Sequence, residues 1–354
     1  MKRFYFILIS FIFTNGCDST TKIEYPFIDQ SIIFSSRRWW NYDIFIKDIY
    51  GEYTTQLTKN KFIDFNPSIS RDSNYLAFIS DRDGNREIYT CELEWIDGYS
   101  RWRVSDLRNI TNSELNDWTP VFSPIENKIA FATYFPENDN YDIFVMNYDG
   151  TDKEKITNTD SYEKYPQFSP DGSFLIFQGW YKGKMEIYFS NLLEKNLINL
   201  TNNPSYDDIL SHGNSFSPNG EFIVFTSNRD GNKNIYLMNA NGDNHIQLTS
   251  NKYNDYEPIF SPDGKSIIFT SERDGNKEIY SIDLQSKTLE NLTKNPGDDW
   301  NPRFFSDGTK IVFQSTRDGN WEIYLMKKNG SEAKNLSNHP STDYSYIVLS
   351  PPIF

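Results

Sequence analysis

The chain repeats one short phrase, and this repeat limits the possible folds more than any other feature. Near-copies read ISDRDGNREIYTCELE from residue 79, TSNRDGNKNIYLMNAN from 226, TSERDGNKEIYSIDLQ from 270 and QSTRDGNWEIYLMKKN from 314. Aligning the residue two places before the aromatic of EIY gives seven copies, at Asp43, Glu87, Asp142, Glu186, Asn234, Glu278 and Glu322. Their spacings are 44, 55, 44, 48, 44 and 44 residues. Such a period is typical of the blades of a β-propeller.

Each copy predicts four short strands, which we label a to d. In one copy, PIFSPDG (258–264) predicts strand a and a tight turn, and SIIFTS (266–271) predicts strand b. EIYSID (278–283) and ENLT (290–293) predict strands c and d. The runs are rich in β-branched and aromatic residues, and glycine in RDGN allows the chain to reverse. No helical periodicity competes with this pattern, so the repeat predicts four-stranded blades.

The number of strands predicts how the ring closes. Strands b, c and d occur seven times, beginning with SIIFSS, DIFIKD and TQLT between residues 31 and 58. Strand a precedes only six of these sets, and a seventh candidate, YIVLSP (346–351), comes at the end of the sequence. Pairing it with the first set removes the exposed sheet edges. The sequence therefore predicts an all-β, seven-bladed propeller closed by pairing of the C-terminal strand with the N-terminal blade. Six and eight blades are the alternatives.

Composition excludes some classes of function. The formal net charge is −14, whereas a nucleic-acid-binding protein carries a basic face. The same charge opposes broad adhesion to anionic lipid. Aromatic residues make up 16% of the chain while the mean hydropathy is −0.65, which suits several thin sheets with aromatic inner faces. A basic partner or a bound cation remains possible, and solubility alone also explains the charge.

The N-terminal segment predicts export. MKRFYFILISFIFTNGC has two basic residues, an apolar run over residues 4–13 and small or polar residues before Cys17, as secretory signals do. The run is too short to span a bilayer as a helix. Gly16 and Cys17 resemble the lipobox of bacterial lipoproteins, which implies a lipidated Cys17 and an anchor facing the periplasm or cell surface. We expect a signal peptide at 1–16, a tether at 17–26 and the propeller at 27–354; cleavage to a soluble secreted protein is the alternative.

The units FSPDGKSIIFTSERDGNKEIYSIDL, each followed by LT, resemble the WD40-like (PD40) repeats of the TolB propeller family over residues 27–354. The intact ring, the lack of a catalytic cluster and the N-terminal anchor lead us to expect a monomeric propeller that binds a partner in the cell envelope. No counterpart of the α/β domain that precedes the TolB propeller is expected between the signal and the first blade. Prolyl oligopeptidase relatives join such propellers to an α/β-hydrolase domain, but this chain contains no G-x-S-x-G.

The residues suited to catalysis or metal binding are few. Oligogalacturonate lyases use a related propeller with a histidine-rich metal site, whereas the three histidines here, His212, His245 and His339, lack ligand spacing. We therefore expect a protein that is not an enzyme and has no cofactor, with calcium on the surplus carboxylates as a lesser possibility.

Two rings of charge are predicted at one end of the propeller, because b–c turns and d–a loops share an end in an up-and-down sheet. The d–a loops supply acids, at Asp64, Asp117, Glu163, Asp208, Asp255, Asp299 and Asp343. The b–c turns supply Arg38, Arg82, Arg229, Arg273 and Arg317. Arginine suits carboxylates, so we expect the two rings to pair and to lock the blades together.

Blades 3 and 4 break this pattern and give the predicted ligand site. Phe135 and Tyr181 stand where the arginine is expected, so Asp117, Glu163 and Asp208 are predicted to lack their partners. Trp118, Tyr134 and Trp180 are expected close by. Aromatic side chains beside free carboxylates suit a peptide, a sugar or a basic protein surface. The alternative is that the rings only pack against neighbouring blades.

A longer c–d segment at 92–111, rich in tryptophan and arginine, is predicted to form an extended hairpin that either docks a partner or covers a blade edge.

Three functions remain open. The first is a non-catalytic, membrane-anchored propeller that binds an envelope protein or peptide. The second is a surface propeller that binds or cleaves carbohydrate, and the third is a structural module of a larger complex.

Overall fold

The computed structural model describes residues 31–38, 41–50, 54–96, 101–181, 183–209 and 215–348. In these ranges the regular secondary structure consists of β-strands, and no helix occurs. The all-β prediction is thus confirmed. The described ranges also contain no helix with the length and hydrophobicity needed to cross a membrane.

Within the described ranges the strands form five four-stranded sheets and one eight-stranded sheet. The eight-stranded sheet consists of two groups of four, joined by one parallel pair between Tyr141 and Tyr162. We therefore describe the chain as seven units of four strands. Within each unit neighbouring strands are antiparallel, so short turns suffice to connect them.

The strands of units 1 to 4 have the following bounds. Unit 1 contains, in sheet order, β28 (Asp343–Val348), β1 (Ser31–Ser36), β2 (Asp43–Asp48) and β3 (Thr54–Gln56). Unit 2 contains β4 (Asp64–Ile69), β5 (Tyr75–Ser80), β6 (Glu87–Ile96) and β7 (Arg101–Asn109). Unit 3 contains β8 (Asn116–Phe122), β9 (Lys128–Phe135), β10 (Asn140–Asn147) and β11 (Glu154–Lys155). Unit 4 contains β12 (Tyr162–Phe168), β13 (Phe174–Tyr181), β14 (Lys184–Asn191) and β15 (Leu197–Asn199).

Units 5 to 7 follow the same order. Unit 5 contains β16 (Asp207–Asp208), β17 (Phe222–Ser227), β18 (Asn234–Asn239) and β19 (Ile246–Gln247). Unit 6 contains β20 (Asp255–Phe260), β21 (Ser266–Ser271), β22 (Glu278–Asp283) and β23 (Leu289–Asn291). Unit 7 contains β24 (Asp299–Phe304), β25 (Lys310–Ser315), β26 (Glu322–Lys327) and β27 (Lys334–Asn335).

The hydrophobic core lies between the units. The second strand of every unit carries a phenylalanine with no exposed surface, at Phe34, Phe78, Phe131, Phe177, Phe225, Phe269 and Phe313. Among the described residues there are seven buried clusters, and each combines residues of two consecutive units. In one of them Val312 and Ile323 of unit 7 pack with Ile32 and Phe34 of unit 1. Each sheet is thus buried on both faces, which explains the continuous apolar runs in its middle strands.

The two ends of the described chain share a sheet. β28 pairs antiparallel with β1, with Ile347 opposite Ile33. At one end of the molecule, which we call the turn end, the loop joining the second and third strands of a unit meets the start of the next unit. There the Asp299 N–H of unit 7 donates to the Lys277 carbonyl of unit 6 at 2.7 Å. The turn end is where the charged rings lie.

Candidate functional site

Four units carry the sequence Arg-Asp-Gly-Asn between their second and third strands, at 82–85, 229–232, 273–276 and 317–320; we call this the RDGN turn. In unit 6, Arg273 Nη2 donates to both carboxylate oxygens of Asp255 at 3.1 Å. Arg273 Nε donates to Ser271 Oγ at 2.8 Å, and the guanidinium lies 4.4 Å from the Tyr280 ring centroid. Asp255 is fully buried, so the arginine supplies the countercharge that a buried carboxylate needs.

The same ion pair recurs around the molecule. The nitrogen–oxygen distances are 3.0 Å for Arg82–Asp64, 3.2 Å for Arg229–Asp207, 2.9 Å for Arg317–Asp299 and 3.8 Å for Arg38–Asp343. The predicted pairing of the two rings is confirmed, with one correction. Asp207, not Asp208, is the ring acid of unit 5. Asp208 instead accepts from Gln178 Nε2, and burial raises its pKa to about 6.

The aspartate and asparagine of the RDGN turn fix two further parts of the unit. In unit 6, Asp274 accepts hydrogen bonds from the Tyr280 hydroxyl and from Asn291 Nδ2. Asn276 Nδ2 contacts three acceptors, namely Glu278 Oε1 at 3.0 Å and the carbonyls of Asn295 at 2.9 Å and Gly297 at 2.8 Å. These contacts tie the turn to the outer strand and to the loop that enters unit 7.

Glycine completes the turn because of its backbone conformation. Gly275 has a φ of +98°, and a Cβ added there would have no neighbour within 4 Å. The left-handed conformation, rather than lack of space, therefore favours glycine. The repeated phrase thus has a structural explanation, because its arginine, aspartate and asparagine each bind a separate partner. We call this set of contacts the lock.

Unit 4 has none of the three polar residues of this lock. Its sequence at the aligned positions is Tyr181-Lys182-Gly183-Lys184, and Gly179 replaces the serine that contacts arginine elsewhere. β13 and β14 stay paired as far as Tyr181 opposite Lys184, so the hairpin is longer and its turn tighter. Trp180 and Tyr181 are consequently exposed at the turn end, by 39% and 45%.

The ring acid of unit 4 is buried without an arginine. Glu163 is 2% exposed, and its Oε1 accepts from the Thr159 hydroxyl. Its Oε2 atom has no hydrogen-bond partner within the described ranges. Burial is the main reason that the pKa of Glu163 rises to about 7. This carboxyl therefore changes its protonation near neutral pH.

In unit 3, which also lacks the arginine, a lysine from another loop provides a positive charge near the buried acid. Asp117 is fully buried and accepts from Thr133 Oγ1 at 2.5 Å, while burial raises its pKa to about 6. Lys153 Nζ lies 5.1 Å from the Phe131 ring centroid and 5.0 Å from that of Phe144. It thus occupies the place over the rings that arginine takes in units 1, 2, 5, 6 and 7.

The predicted aromatic residues partly pack against their neighbours. Arg86 of unit 2 lies 3.9 Å from the Trp118 ring centroid, although the buried Trp118 Nε1 has no hydrogen-bond partner in the described part of the chain. Tyr134 lies 4.8 Å from Tyr141, and its hydroxyl donates to Asp139. The remaining ring distances are 6.3 Å for Phe135–Phe144 and 6.1 Å for Trp180–Tyr206. Trp180 and Tyr181 are the most accessible members of the predicted site.

Sequence reasoning missed Lys184. Six units have asparagine two places before the aligned residue, at Asn41, Asn85, Asn140, Asn232, Asn276 and Asn320. Unit 4 has Lys184 there. The alignment contained this signal, but only the contacts of Asn276 show why the difference matters.

The long segment of unit 2 forms the extended hairpin β6–β7. Trp102 is 6% exposed and packs into the cluster between units 1 and 2. The exposed Arg103 and Arg108 pair with Glu94 and Asp106, each at 2.5 Å. These contacts favour the interpretation as an edge cover over that as a docking element.

The described ranges contain no group of histidine, cysteine, aspartate or glutamate placed to hold a metal ion. His245 Nδ1 lies 2.8 Å from Arg229 Nη1, and His212 falls outside those ranges.

Comparison with known proteins identifies relatives of the repeat. The family model described as the TolB beta propeller domain matches residues 96–232, 208–281 and 258–351. An uncharacterized protein of Agrobacterium fabrum is 28% identical over 140 residues, which is 37% of this chain and 45% of that protein. A TolB homologue of Chlorobium chlorochromatii is 26% identical over 146 residues, or 41% and 30% of the two chains. The matches thus span less than half of these curated relatives.

Solved structures share the fold at low identity. TolB from Acinetobacter baumannii has a TM-score of 0.55 and 18% identity, covering 90% of this chain and 66% of that one. An oligogalacturonate lyase in complex with manganese has a TM-score of 0.68 and 15% identity, covering 84% and 86%. A puromycin hydrolase has a TM-score of 0.70 and 14% identity, covering 89% and 53%.

The prediction that the chain is not an enzyme is wrong, because it rested on the lack of a catalytic cluster in the sequence. Solved structures with this fold include the lyase, the puromycin hydrolase and prolyl endopeptidases. The lack of a recognisable catalytic cluster in the sequence therefore does not exclude catalysis. The lyase structure contains manganese, so the fold itself is compatible with a bound metal.

Proposed function

The chain belongs to the TolB β-propeller family, and we propose that it binds a protein or peptide partner in the cell envelope. One observation carries this proposal. Unit 4 exposes Trp180 and Tyr181 directly after Gly179, which pairs with Glu163, a buried carboxyl group that has no arginine partner. Exposed aromatic residues beside an unsatisfied polar group are typical of binding surfaces.

We further propose that the seven units are blades of one closed ring formed by residues 27–354. The pairing of β28 with β1 supports closure, as does the cluster of unit 7 and unit 1 residues. A closed ring holds the turn end rigid, so a partner meets a surface already in its binding shape.

The proposed binding surface combines the residues predicted from the sequence. Trp180 and Tyr181 contact the partner directly, and Tyr134 and Phe135 extend the surface over unit 3. Asp117 and Glu163 are buried beneath the surface, and with Asp208 they supply its carboxyl groups. Glu163 Oε2 and Trp118 Nε1 are its hydrogen-bonding atoms without a partner in the described part of the chain. Such a surface favours a partner with basic or hydrogen-bond-donating groups.

Replacing Trp180 and Tyr181 together with alanine is expected to weaken binding of a captured envelope protein at least about tenfold, because aromatic anchors carry much of the energy of an interface. The measurement is biolayer interferometry against that protein. Tyr253→Ala is the matched control, since Tyr253 is an exposed ring, 38% accessible, beside a unit with an intact RDGN turn. Equal binding by the double variant and the parent would reject this surface.

A second candidate is a surface propeller that binds or cleaves carbohydrate. The structural similarity to an oligogalacturonate lyase and the exposed rings of unit 4 favour it. Incubation with oligogalacturonides, with and without Mn²⁺, separates the possibilities. Product release indicates an enzyme, whereas retention without product indicates a receptor.

We also propose export and lipid anchoring through Cys17, with residues 17–26 as a tether. Residues 1–30 lie outside the described ranges. The proposal of export and anchoring is therefore supported by the sequence alone, through its basic start, its apolar run and the Gly16–Cys17 pair. Cys17→Ser is expected to move the protein from the membrane fraction to the soluble fraction, because the acyl chains supply the membrane affinity. Immunoblots of the separated fractions measure the shift, and Cys91→Ser serves as the control because Cys91 is a buried core residue.

A further inference from the structure

Unit 4 has a cleft where other units have the RDGN turn. Its volume is about 310 Å³, and its walls include Tyr181, Lys184, Glu186, Tyr188, Asn199 and Asn203. All of these residues belong to β13, β14, β15 or the loop that follows β15. The cleft therefore lies within a single unit, beside the exposed Tyr181 ring.

Units 2, 6 and 7 show what fills the corresponding place. In each of them the aspartate of the RDGN turn accepts from a tyrosine hydroxyl on the third strand and from an asparagine on the fourth. The three sets are Asp83 with Tyr89 and Asn109, Asp274 with Tyr280 and Asn291, and Asp318 with Tyr324 and Asn335. The asparagine nitrogen lies 2.7 Å from the carboxylate in all three units.

Unit 4 keeps the two donors and lacks the acceptor. Tyr188 and Asn199 are the aligned tyrosine and asparagine, and Asn199 Nδ2 lies 3.5 Å from the Tyr188 hydroxyl oxygen. A contact of this length is weak. No aspartate of the turn reaches them, because position 182 is a lysine in the sequence.

The local charge is reversed in unit 4. Lys182 stands at the place of the turn aspartate and Lys184 at the place of the turn asparagine. Lys184 is one of the residues that line the cleft. Glu186 is occupied inside the unit, since it accepts from Thr201 Oγ1 at 2.7 Å. In unit 6 the equivalent Glu278 coexists with Asp274, so this position tolerates a neighbouring carboxylate.

We propose that the cleft of unit 4 binds a carboxylate from an acidic side chain of the partner, an inference that rests on the proposed role in protein or peptide binding. The carboxylate accepts hydrogen bonds from the Tyr188 hydroxyl and Asn199 Nδ2 and lies near the Lys184 ammonium group. The partner thus supplies to unit 4 the group that Asp274 supplies to unit 6. A basic group elsewhere on the same partner suits the buried Glu163.

The first test compares two labelled peptides on the full chain by fluorescence polarization at low salt. The probe is an acetylated, amidated Gly-Asp-Gly-Asp-Gly peptide, and its control has asparagine in place of aspartate. We expect the aspartate peptide to bind at least about tenfold more tightly, because a charge-assisted hydrogen bond exceeds a neutral one. Lys184→Glu should remove this preference, whereas Lys252→Glu, with the same change of charge on an exposed lysine of the turn end, should preserve it.

The second test rebuilds the lock. Tyr181→Arg with Lys182→Asp and Lys184→Asn gives unit 4 the turn sequence of its neighbours, which should fill the cleft, raise the melting temperature and abolish binding of the aspartate peptide. Unchanged binding by this variant would overturn the proposal. Binding of trigalacturonate but not of the aspartate peptide would also overturn it, since the carboxylate would then come from a sugar.

The same variants separate this inference from the proposed function. If an envelope protein binds the parent and the rebuilt variant equally, the cleft proposal fails and the binding function stands. If no envelope protein binds the parent, the binding function fails, and the comparison of the two peptides still decides whether the cleft takes a carboxylate.

Discussion

Replacing Arg273 with leucine is expected to lower the free energy of unfolding by about 3–5 kcal/mol, because the change leaves a buried carboxylate without its countercharge. Asp255 has no exposed surface and receives both Arg273 Nη2 contacts at 3.1 Å. Leucine can pack against Tyr280 but cannot donate to Asp255. Urea unfolding followed by tryptophan fluorescence measures the loss.

Tyr181→Leu is the matched control for Arg273→Leu. It changes the aligned position in the unit that lacks the lock, and Tyr181 is 45% exposed. We expect a loss of no more than about 0.5 kcal/mol for this surface substitution. The double variant Arg273→Leu with Asp255→Leu should recover part of the loss, because both members of the buried pair are then apolar. If Arg273→Leu and Tyr181→Leu lowered the free energy of unfolding equally, the effect would come from the turn backbone and not from the ion pair.

Much of this architecture could be predicted because most successive copies of the repeat have the same length. The 44-residue spacing places each arginine and each ring acid at the same point of successive units, so their pairing could be inferred without coordinates. The apolar runs around Phe269 and Phe313 indicate strands buried on both faces. Glycine in the RDGN turn likewise fixed the place of each reversal in the chain.

Some features could not be read from the sequence because they depend on register or on distant loops. Asp207 and Asp208 are adjacent acids, and a shift of one residue places the other side chain on the opposite face of a strand. Lys153 replaces arginine in unit 3 from a loop that the alignment does not relate to the turn. The cleft of unit 4 depends on the pairing of Tyr181 with Lys184, which lengthens the hairpin.

The burial of the two acids that have no arginine partner also escaped prediction. Asp117 and Glu163 were expected as free carboxylates on a surface, and the structure buries both of them under the turn end. Whether an acid is buried depends on what the neighbouring unit packs against it, which one repeat does not reveal. Burial changes the expected chemistry, since it favours the neutral acid over the anion.

Glu163→Gln is expected to stabilise the protein at pH 8 by about 1–3 kcal/mol and to leave its stability at pH 4.5 nearly unchanged. The pKa of Glu163 is raised from its ordinary value of 4.5 to about 7, chiefly by burial. Between these two pH values the folded protein binds more protons than the unfolded chain. Stability therefore falls as pH rises through this window, and the loss persists above pH 7. Glutamine is neutral throughout, so the variant does not pay the cost of burying an anion.

Asp255→Asn provides the opposite case at the equivalent position of unit 6. There the carboxylate is paired with Arg273, so its removal leaves the partly buried guanidinium unpaired and should destabilise the protein by about 2–4 kcal/mol at pH 8. Thermal unfolding of both variants and the parent at pH 4.5, 6 and 8 gives the comparison. Opposite signs at pH 8 mean that unit 4 keeps its buried acid at a cost in stability. An acid retained at such a cost is expected where a partner supplies the missing charge, whereas equal signs would remove the energetic reason for placing the binding surface at unit 4.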